Sequence, residues 1–412
     1  MTEESGMNRL YRVYARTYQK ITWLAMWLLP WRQNRGTLSG AGSLQQLPAF
    51  LQDKGLSRVL IVTDEGLYKL GMTEPLLAAC KAAGMHAAVY HEVVPNPTIG
   101  NIEEGVTMYR RHGCDVIVAL GGGSAMDCAK GMAARLARPK KSIPQMKGQL
   151  KVLRQTPPVV AVPTTSGTGS EATLAAVVSN PATREKYAIN DPMLIPRYVV
   201  MDPELTIGLP PHITATTGMD ALTHAVEAYI GHSNTAQTKR DAIAAVQAIH
   251  ACLYAAYTDG TNLEARNRMQ QAAYLAGKAF TRAYVGYVHA VAHTLGGFYG
   301  VPHGLANAVI LPHVLRAYGV SAQRKLAQLA DCIDLAGNNE QEKAQAFIRW
   351  IDELNSSMNI PDKVRARDGG RLIQEQDLPA MLAHAVAEAN PLYPCPQVWG
   401  KRELERIYRQ IM

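Results

Sequence analysis

A chain of 412 residues, 47% apolar and 18% charged, has the make-up of an ordinary globular protein with a sizeable core and two or three domains. Its net charge of +8 is local: residues 1–36 carry +4 and residues 131–154 carry +7, so the remainder is slightly acidic. That distribution, with no arginine-rich or aromatic-interleaved motif, excludes a nucleic-acid-coating protein. Six scattered cysteines, none in Cys-x-x-Cys, exclude a zinc ribbon and a disulfide framework.

The first element is an extension, residues 1–36, ahead of the main body. Leu10, Tyr14, Ile21, Leu24 and Leu28 recur at helical spacing, and Arg9, Arg12, Arg16 and Lys20 form a separate line. This predicts an amphipathic helix with a basic face and the aromatic residues Tyr11, Tyr14, Tyr18, Trp23, Trp27 and Trp31. Two partners suit it. The stripe can be buried against the main body or a second subunit, or it can attach reversibly to an anionic membrane surface. The apolar stretch Ile21–Trp31 is too short to span a bilayer and lacks a cleavage site, so a cytoplasmic location is expected, with peripheral membrane attachment as the variant.

Next come apolar strands alternating with helices: a strand at Arg58–Thr63, a helix from about Glu74 to Ala83, a strand at His86–Tyr90, a helix over Ile102–His112, and strands at Asp115–Leu120 and Val159–Val162. That alternation implies a doubly wound parallel sheet, a Rossmann-like α/β domain spanning residues 37–208. After Pro210-Pro211 the period becomes helical, over about 214–230, 238–257, 264–280, 285–296 and 323–353. Residues 209–412 are therefore expected to form an all-helical domain.

Two glycine loops follow strands. Gly121-Gly122-Gly123-Ser124 lies between the third strand and a helix, where converging backbone N–H groups and the helix dipole favour phosphate. Alone, it is equally consistent with a simple turn. The second loop, Pro163-Thr-Thr-Ser-Gly-Thr-Gly-Ser-Glu171, is dense in small donors. Asp64 ends the first strand, where a carboxylate can accept from adenosine ribose hydroxyls and repel a 2′-phosphate. The acid precedes the glycines, the reverse of the usual dinucleotide fingerprint.

The helical half carries Asp220 and His224 at i, i+4, His289 and His293 at the same spacing, and His303 after a break expected at Gly296-Gly297. A carboxylate with several imidazoles suits Fe(II) or Zn(II). Spacing does not choose between His289 and His293 as ligand.

Together these segments resemble the iron-containing alcohol dehydrogenase family over roughly residues 40–395. The similarity runs through Val93-Val-Pro-Asn-Pro-Thr98, Gly121–Asp127 with Lys130, Pro163–Glu171, the Asp220/His224 helix, Gly286–Gly296 and His303-Gly-Leu-Ala-Asn307. The resemblance implies metal ligands Asp220, His224, His289 and His303, with His293 beside the nicotinamide as the catalytic histidine. It places Asp64, Asn96, Gly122, Gly123, Ser124, Asp127, Thr164, Thr165, Thr168 and Lys186 along the cofactor. It implies reversible hydride transfer between NAD(H) and an alcohol–carbonyl pair, with Fe(2+) or alternatively Zn(2+), a small-molecule alcohol or aldehyde substrate, and a homodimer. Two rivals share the architecture: a glycerol-dehydrogenase-like polyol enzyme, which the Asp220-x-x-x-His224 helix disfavours, and a dehydroquinate-synthase-like lyase that uses NAD transiently.

Overall fold

The computed structural model describes residues 9–28, 34–183, 185–366 and 369–412. Trp31 and the side chain of Trp27, counted above among the aromatics of the extension, lie outside the described residues. The chain forms two compact units. One comprises residues 30–209 and 260–277; the other comprises the N-terminal segment, 210–259 and 278–412.

The first unit is built on a sheet of six parallel strands. In chain order these are β1 (Gly36–Ser39), β2 (Arg58–Asp64), β3 (His86–Val93) and β4 (Val116–Gly121). A short β5 (Gly148–Gln149) precedes β6 (Val159–Pro163), β7 (Ala175–Asn180), β8 (Glu185–Asn190) and β9 (Tyr198–Met201). The spatial order is β1-β9-β6-β4-β2-β3, and β5, β8 and β7 make a separate small sheet. The central strands are buried on both faces, as their unbroken apolar runs require. Leu60, Val62, Ile117 and Ala119 point into one core, with Ile102, Met126 and Met132. Their alternates Val59, Ile61, Val116 and Val118 point into the other, with Leu47, Leu76 and Cys80.

The helices α1 (Arg9–Leu28), α2 (Leu47–Gln52), α3 (Glu65–Lys69), α4 (Glu74–Ala82), α5 (Ile99–Arg111) and α6 (Gly123–Ala137) come first along the chain. Of these, α2 to α6 belong to the sheet unit. The α5 start is set by a capping box, with Thr98 Oγ1 accepting from Asn101 N and Asn101 Oδ1 accepting from Thr98 N. Strands β1, β5, β7, β8 and β9 had no counterpart in the sequence reading. β1 and β9 have four residues each and β5 two, too few to register a period, while β7 ends in the polar Ser179 and Asn180 and β8 opens on Glu185 and Lys186.

The second unit contains α1, α7 (Pro211–Ile230), α8 (Ala236–Thr258), the end of α9 (Leu263–Ala283), α10 (Tyr287–Tyr299) and α11 (His303–Tyr318), followed by α12 (Val320–Asp331), α13 (Glu340–Ser357), α14 (Leu378–Ala389) and α15 (Lys401–Ile411). Three expectations change here. The stretch 323–353 is two helices, because the turn around Gly337 ends the pattern and Asn339 caps α13 by accepting from Glu342 N. Gly296-Gly297 does not break α10, which runs on to Tyr299 and stops at Gly300 in the left-handed conformation (φ 66°). Finally, α1 docks on its own unit without burying its apolar stripe: Ala15 and Gln19 are buried, whereas Tyr14, Ile21, Leu24 and Leu28 are exposed.

Candidate metal centre and glycine loops

In the helical unit, Asp220 and His224 lie one turn apart on α7, His289 one turn before His293 on α10, and His303 opens α11. The ligand atoms of Asp220, His224, His289 and His303 all lie within 4.8 Å of one another. Asp220 Oδ1 stands 4.0 Å from His224 Nε2, 4.0 Å from His289 Nε2 and 3.5 Å from His303 Nε2. Those separations are long for direct hydrogen bonds and natural for lone pairs that share a central cation. Asp220, His224 and His289 are buried, while His303 is partly exposed, so the group is closed on one side only.

Three further side chains set the orientation of this group. Glu227, on the same face of α7, accepts from Gly286 N (2.8 Å) and Val288 N (2.8 Å) and lies 2.6 Å from His289 Nδ1. With both oxygens accepting from the backbone, Glu227 takes the His289 Nδ1–H as well, which leaves the Nε2 lone pair facing Asp220. Burial raises the Glu227 carboxyl above its ordinary range, against the pull of these donors. Burial, with the neighbouring His224, His303 and His293, holds His289 well below its ordinary value, in the neutral form that ligates metals. Asn307, one turn after His303, places Nδ2 2.7 Å from Asp220 Oδ1, 3.1 Å from His303 Nε2 and 3.3 Å from His289 Nε2. One amide meeting a carboxylate oxygen and two imidazole nitrogens marks a point where lone pairs converge, which is the donor set a divalent cation requires. The Phe280 ring stacks on His224, with centroids 4.1 Å apart and planes 13° from parallel.

His293 stands outside the four-residue group but against it, its ring stacked on His303 at 5.1 Å. Its Nδ1 is held 2.6 Å from Glu388 Oε1, which also accepts from the Tyr393 hydroxyl at 2.8 Å. Burial alone would raise Glu388, but the facing His293, its hydrogen bond and the Tyr393 hydroxyl outweigh it and lower the carboxyl.

In the sheet unit the two glycine loops lie side by side. Thr164 N donates to Gly121 O (3.1 Å), and a Cβ on Gly123 would meet Thr168 Cγ2 at 3.1 Å. At Gly121 a Cβ would meet the Ala125 methyl at 2.7 Å, so the turn into α6 admits only glycine. Thr165 Oγ1 and Ser166 Oγ are buried with no hydrogen-bond partner among the described residues, an arrangement that suits an incoming acceptor such as a phosphate. Asn96, in the left-handed conformation, gives its N–H to Ser124 Oγ (3.2 Å) and accepts from Lys186 Nζ (2.6 Å). Asp64 caps α3 by accepting from Leu67 N at 2.9 Å. Asp127 turns inward, accepting from Ser170 Oγ (2.9 Å) and Val177 N (3.2 Å). Beside it the buried Lys130 donates to Ser170 Oγ, Thr173 Oγ1 and Ala175 O, and burial brings its ammonium down to about 8. These two residues tie α6 to the second loop.

Residues 34–203 match the family described as iron-containing alcohol dehydrogenase, and residues 214–412 match the C-terminal part of the same family. The chain belongs to the iron-containing alcohol dehydrogenase family. It is 39% identical to a 1,3-propanediol dehydrogenase of Klebsiella pneumoniae over 86% of its length and 92% of that enzyme. It is 34% identical to an NAD-dependent methanol dehydrogenase of Bacillus methanolicus over 78% of its length and 85% of that enzyme. A solved structure of a 1,3-propanediol oxidoreductase superposes with a TM-score of 0.88 at 37% identity, covering 93% of this chain and all of that one. The chain is therefore an alcohol dehydrogenase, an enzyme that oxidises alcohols or reduces the matching carbonyls.

Within this iron-containing dehydrogenase, sequence reasoning gave no role to Glu227, Asn307, Glu388 or Tyr393. For the first two a signal existed, since Glu227 follows His224 by three positions and Asn307 follows His303 by four, which places each beside its ligand on the helix surface. Glu388 and Tyr393 are separated from His293 by about a hundred residues, and no local pattern points to them.

Proposed function

We propose that the enzyme transfers hydride reversibly between NAD(H) and an alcohol–aldehyde or alcohol–ketone pair, with Asp220, His224, His289 and His303 holding Fe(2+), or alternatively Zn(2+). The convergence of one carboxylate oxygen and three imidazole nitrogens carries this reading. When bound, the ion supplies Lewis acidity at the substrate oxygen and the nicotinamide supplies the hydride acceptor.

The chain's own residues then have separate tasks. Glu227 fixes the tautomer of His289, and Asn307 holds Asp220 Oδ1 in place. His293, with Nδ1 anchored on Glu388, presents Nε2 as the atom that takes the hydroxyl proton from the alcohol and returns it in the reverse direction. In the sheet unit, Gly122, Gly123, Ser124, Thr164, Thr165 and Thr168 receive the pyrophosphate. Asn96 and Lys186 flank it, Asp127 braces the second loop, and Asp64 selects a ribose without a 2′-phosphate. The proposed division of labour is residues 37–208 for the dinucleotide, 209–412 for metal and catalysis, and 1–36 as an accessory segment on a cytoplasmic homodimer.

The deciding experiment screens NAD reduction over primary alcohols, diols and hydroxy acids, with protein loaded with Fe(II) or Zn(II) in parallel. Net NADH formation with at least one alcohol, dependent on the added metal, is the expected result. No NADH formation with any alcohol under either metal would overturn the proposed pairing of NAD with this metal site.

A further inference from the structure

The helix α1 is mounted the wrong way round for a structural helix. Its contact with the helical unit uses small and polar residues. Ala15 is fully buried and Gln19 nearly so, Gln19 Nε2 donates to Pro391 O and Tyr393 O (both 2.9 Å), and Arg16 Nη2 donates to Pro396 O (2.9 Å). Roughly half a turn away, Val13, Tyr14, Ile21, Leu24 and Leu28 fall within an arc of about 100°. They are 59%, 53%, 64%, 51% and 68% exposed. Single exposed apolar side chains are ordinary, but five on one stripe along a helix are an interaction surface. The amphipathic α15 makes the contrast within the same unit, because there Leu404, Ile407, Tyr408 and Ile411 are all buried.

We propose that α1 is an interfacial anchor that lays this outward stripe on an anionic lipid surface. Charge decides between lipid and a second copy of the chain. The exposed Arg9 and Lys20 border the stripe, with Arg12 behind them, and α1 contains no acidic residue. Two such helices meeting stripe to stripe would bring cationic rows together with no counter-charge. Anionic headgroups supply that counter-charge, and the exposed rings of Tyr14 and Tyr18, at the edge of the stripe, suit the boundary between headgroup and acyl chain. No described helix is long and apolar enough to cross a membrane, so the helix lies in the surface.

The test is co-sedimentation of the full-length, metal-loaded enzyme with vesicles of phosphatidylcholine alone or of equal parts phosphatidylcholine and phosphatidylglycerol. The two exposed cations that border the stripe, Arg9 and Lys20, should favour the anionic vesicles by roughly thirtyfold. Raising salt from about 0.1 M to 1 M, which cuts the screening length from about 10 to 3 Å, should release the enzyme. The double variant Ile21→Glu, Leu24→Glu should lose binding by more than about tenfold while turnover with a soluble alcohol stays unchanged, since both side chains face away from the body. Equal binding to both vesicle types, or undiminished binding by the double variant, would overturn the proposal. So would an assembly of the unmodified enzyme that the double variant splits in analytical ultracentrifugation, because the stripe would then belong to a second copy.

Discussion

In the proposed assignment, the acid–imidazole group and the glycine loops hold a charged guest in opposite ways. In the helical unit the guest-facing atoms are side chains on rigid helices, and their orientation is secured behind them, as Glu227 secures His289 and Asn307 secures Asp220. In the sheet unit the guest-facing groups are backbone N–H groups and small hydroxyls, and two of the hydroxyls, on Thr165 and Ser166, are buried without a protein partner. A closed set of side chains has no redundancy, whereas a loop distributes its interaction over many weak donors. Single substitutions should therefore be decisive in the first region and graded in the second.

The largest effect follows from removing a member of the closed set. Asp220→Ala and His303→Ala should each abolish both bound metal and turnover, checked by metal analysis of the purified variant beside its activity. Metal retained at full occupancy in either one would break the contrast. His293→Ala sharpens it, since this residue touches the group without belonging to it: metal content should stay whole while the rate falls by about 10²–10⁴-fold. Equal metal loss there would make His293 a ligand.

The loop region contributes one effect of comparable size, on stability. Burial of Glu171 raises its carboxyl from an ordinary 4.5 to about 7. Folded protein then keeps a proton that the unfolded chain has released, so stability falls as pH rises from about 4.5 to about 7, by no more than about 3 kcal/mol. Thermal unfolding across that window should show a shallower fall in Glu171→Gln. Identical slopes would mean that the carboxyl ionises freely.

Behind the ligands, Glu227→Gln should weaken metal affinity by about 10- to 100-fold, measured by competition with a chelator, because the His289 tautomer is no longer imposed by a carboxylate. Smallest is Asp64→Gly. One carboxylate near a 2′-phosphate is worth on the order of 1 kcal/mol in water, so the preference for NAD over NADP should narrow by roughly fivefold in kcat/KM. An unmodified enzyme equally efficient with both cofactors would remove Asp64 from its assigned role.

Properties set over a few residues were legible in the chain itself. The apolar runs Arg58–Thr63 and Asp115–Leu120 announced strands, and Asp220 and His224, four apart on an apolar helix, announced a shared face. Both follow from backbone geometry, which repeats every two residues in a strand and about every 3.6 in a helix. Folding was needed wherever partners are distant or periods too short to see. It added the four-residue strands β1 and β9 beside β6, with β1 at the sheet edge, set His289 rather than His293 within the four-residue group, and brought Glu388 to His293 across 95 residues. The same holds for α1. Its amphipathic pattern was visible in Leu10 to Leu28, but which face meets the body depends on what that body offers. It offers the backbone carbonyls of Pro391, Tyr393 and Pro396, which hydrogen-bond to Gln19 and Arg16 and leave the apolar face outside. A helix carries its own pattern, but the complementary surface belongs to residues hundreds of positions away, and only tertiary structure brings the two together.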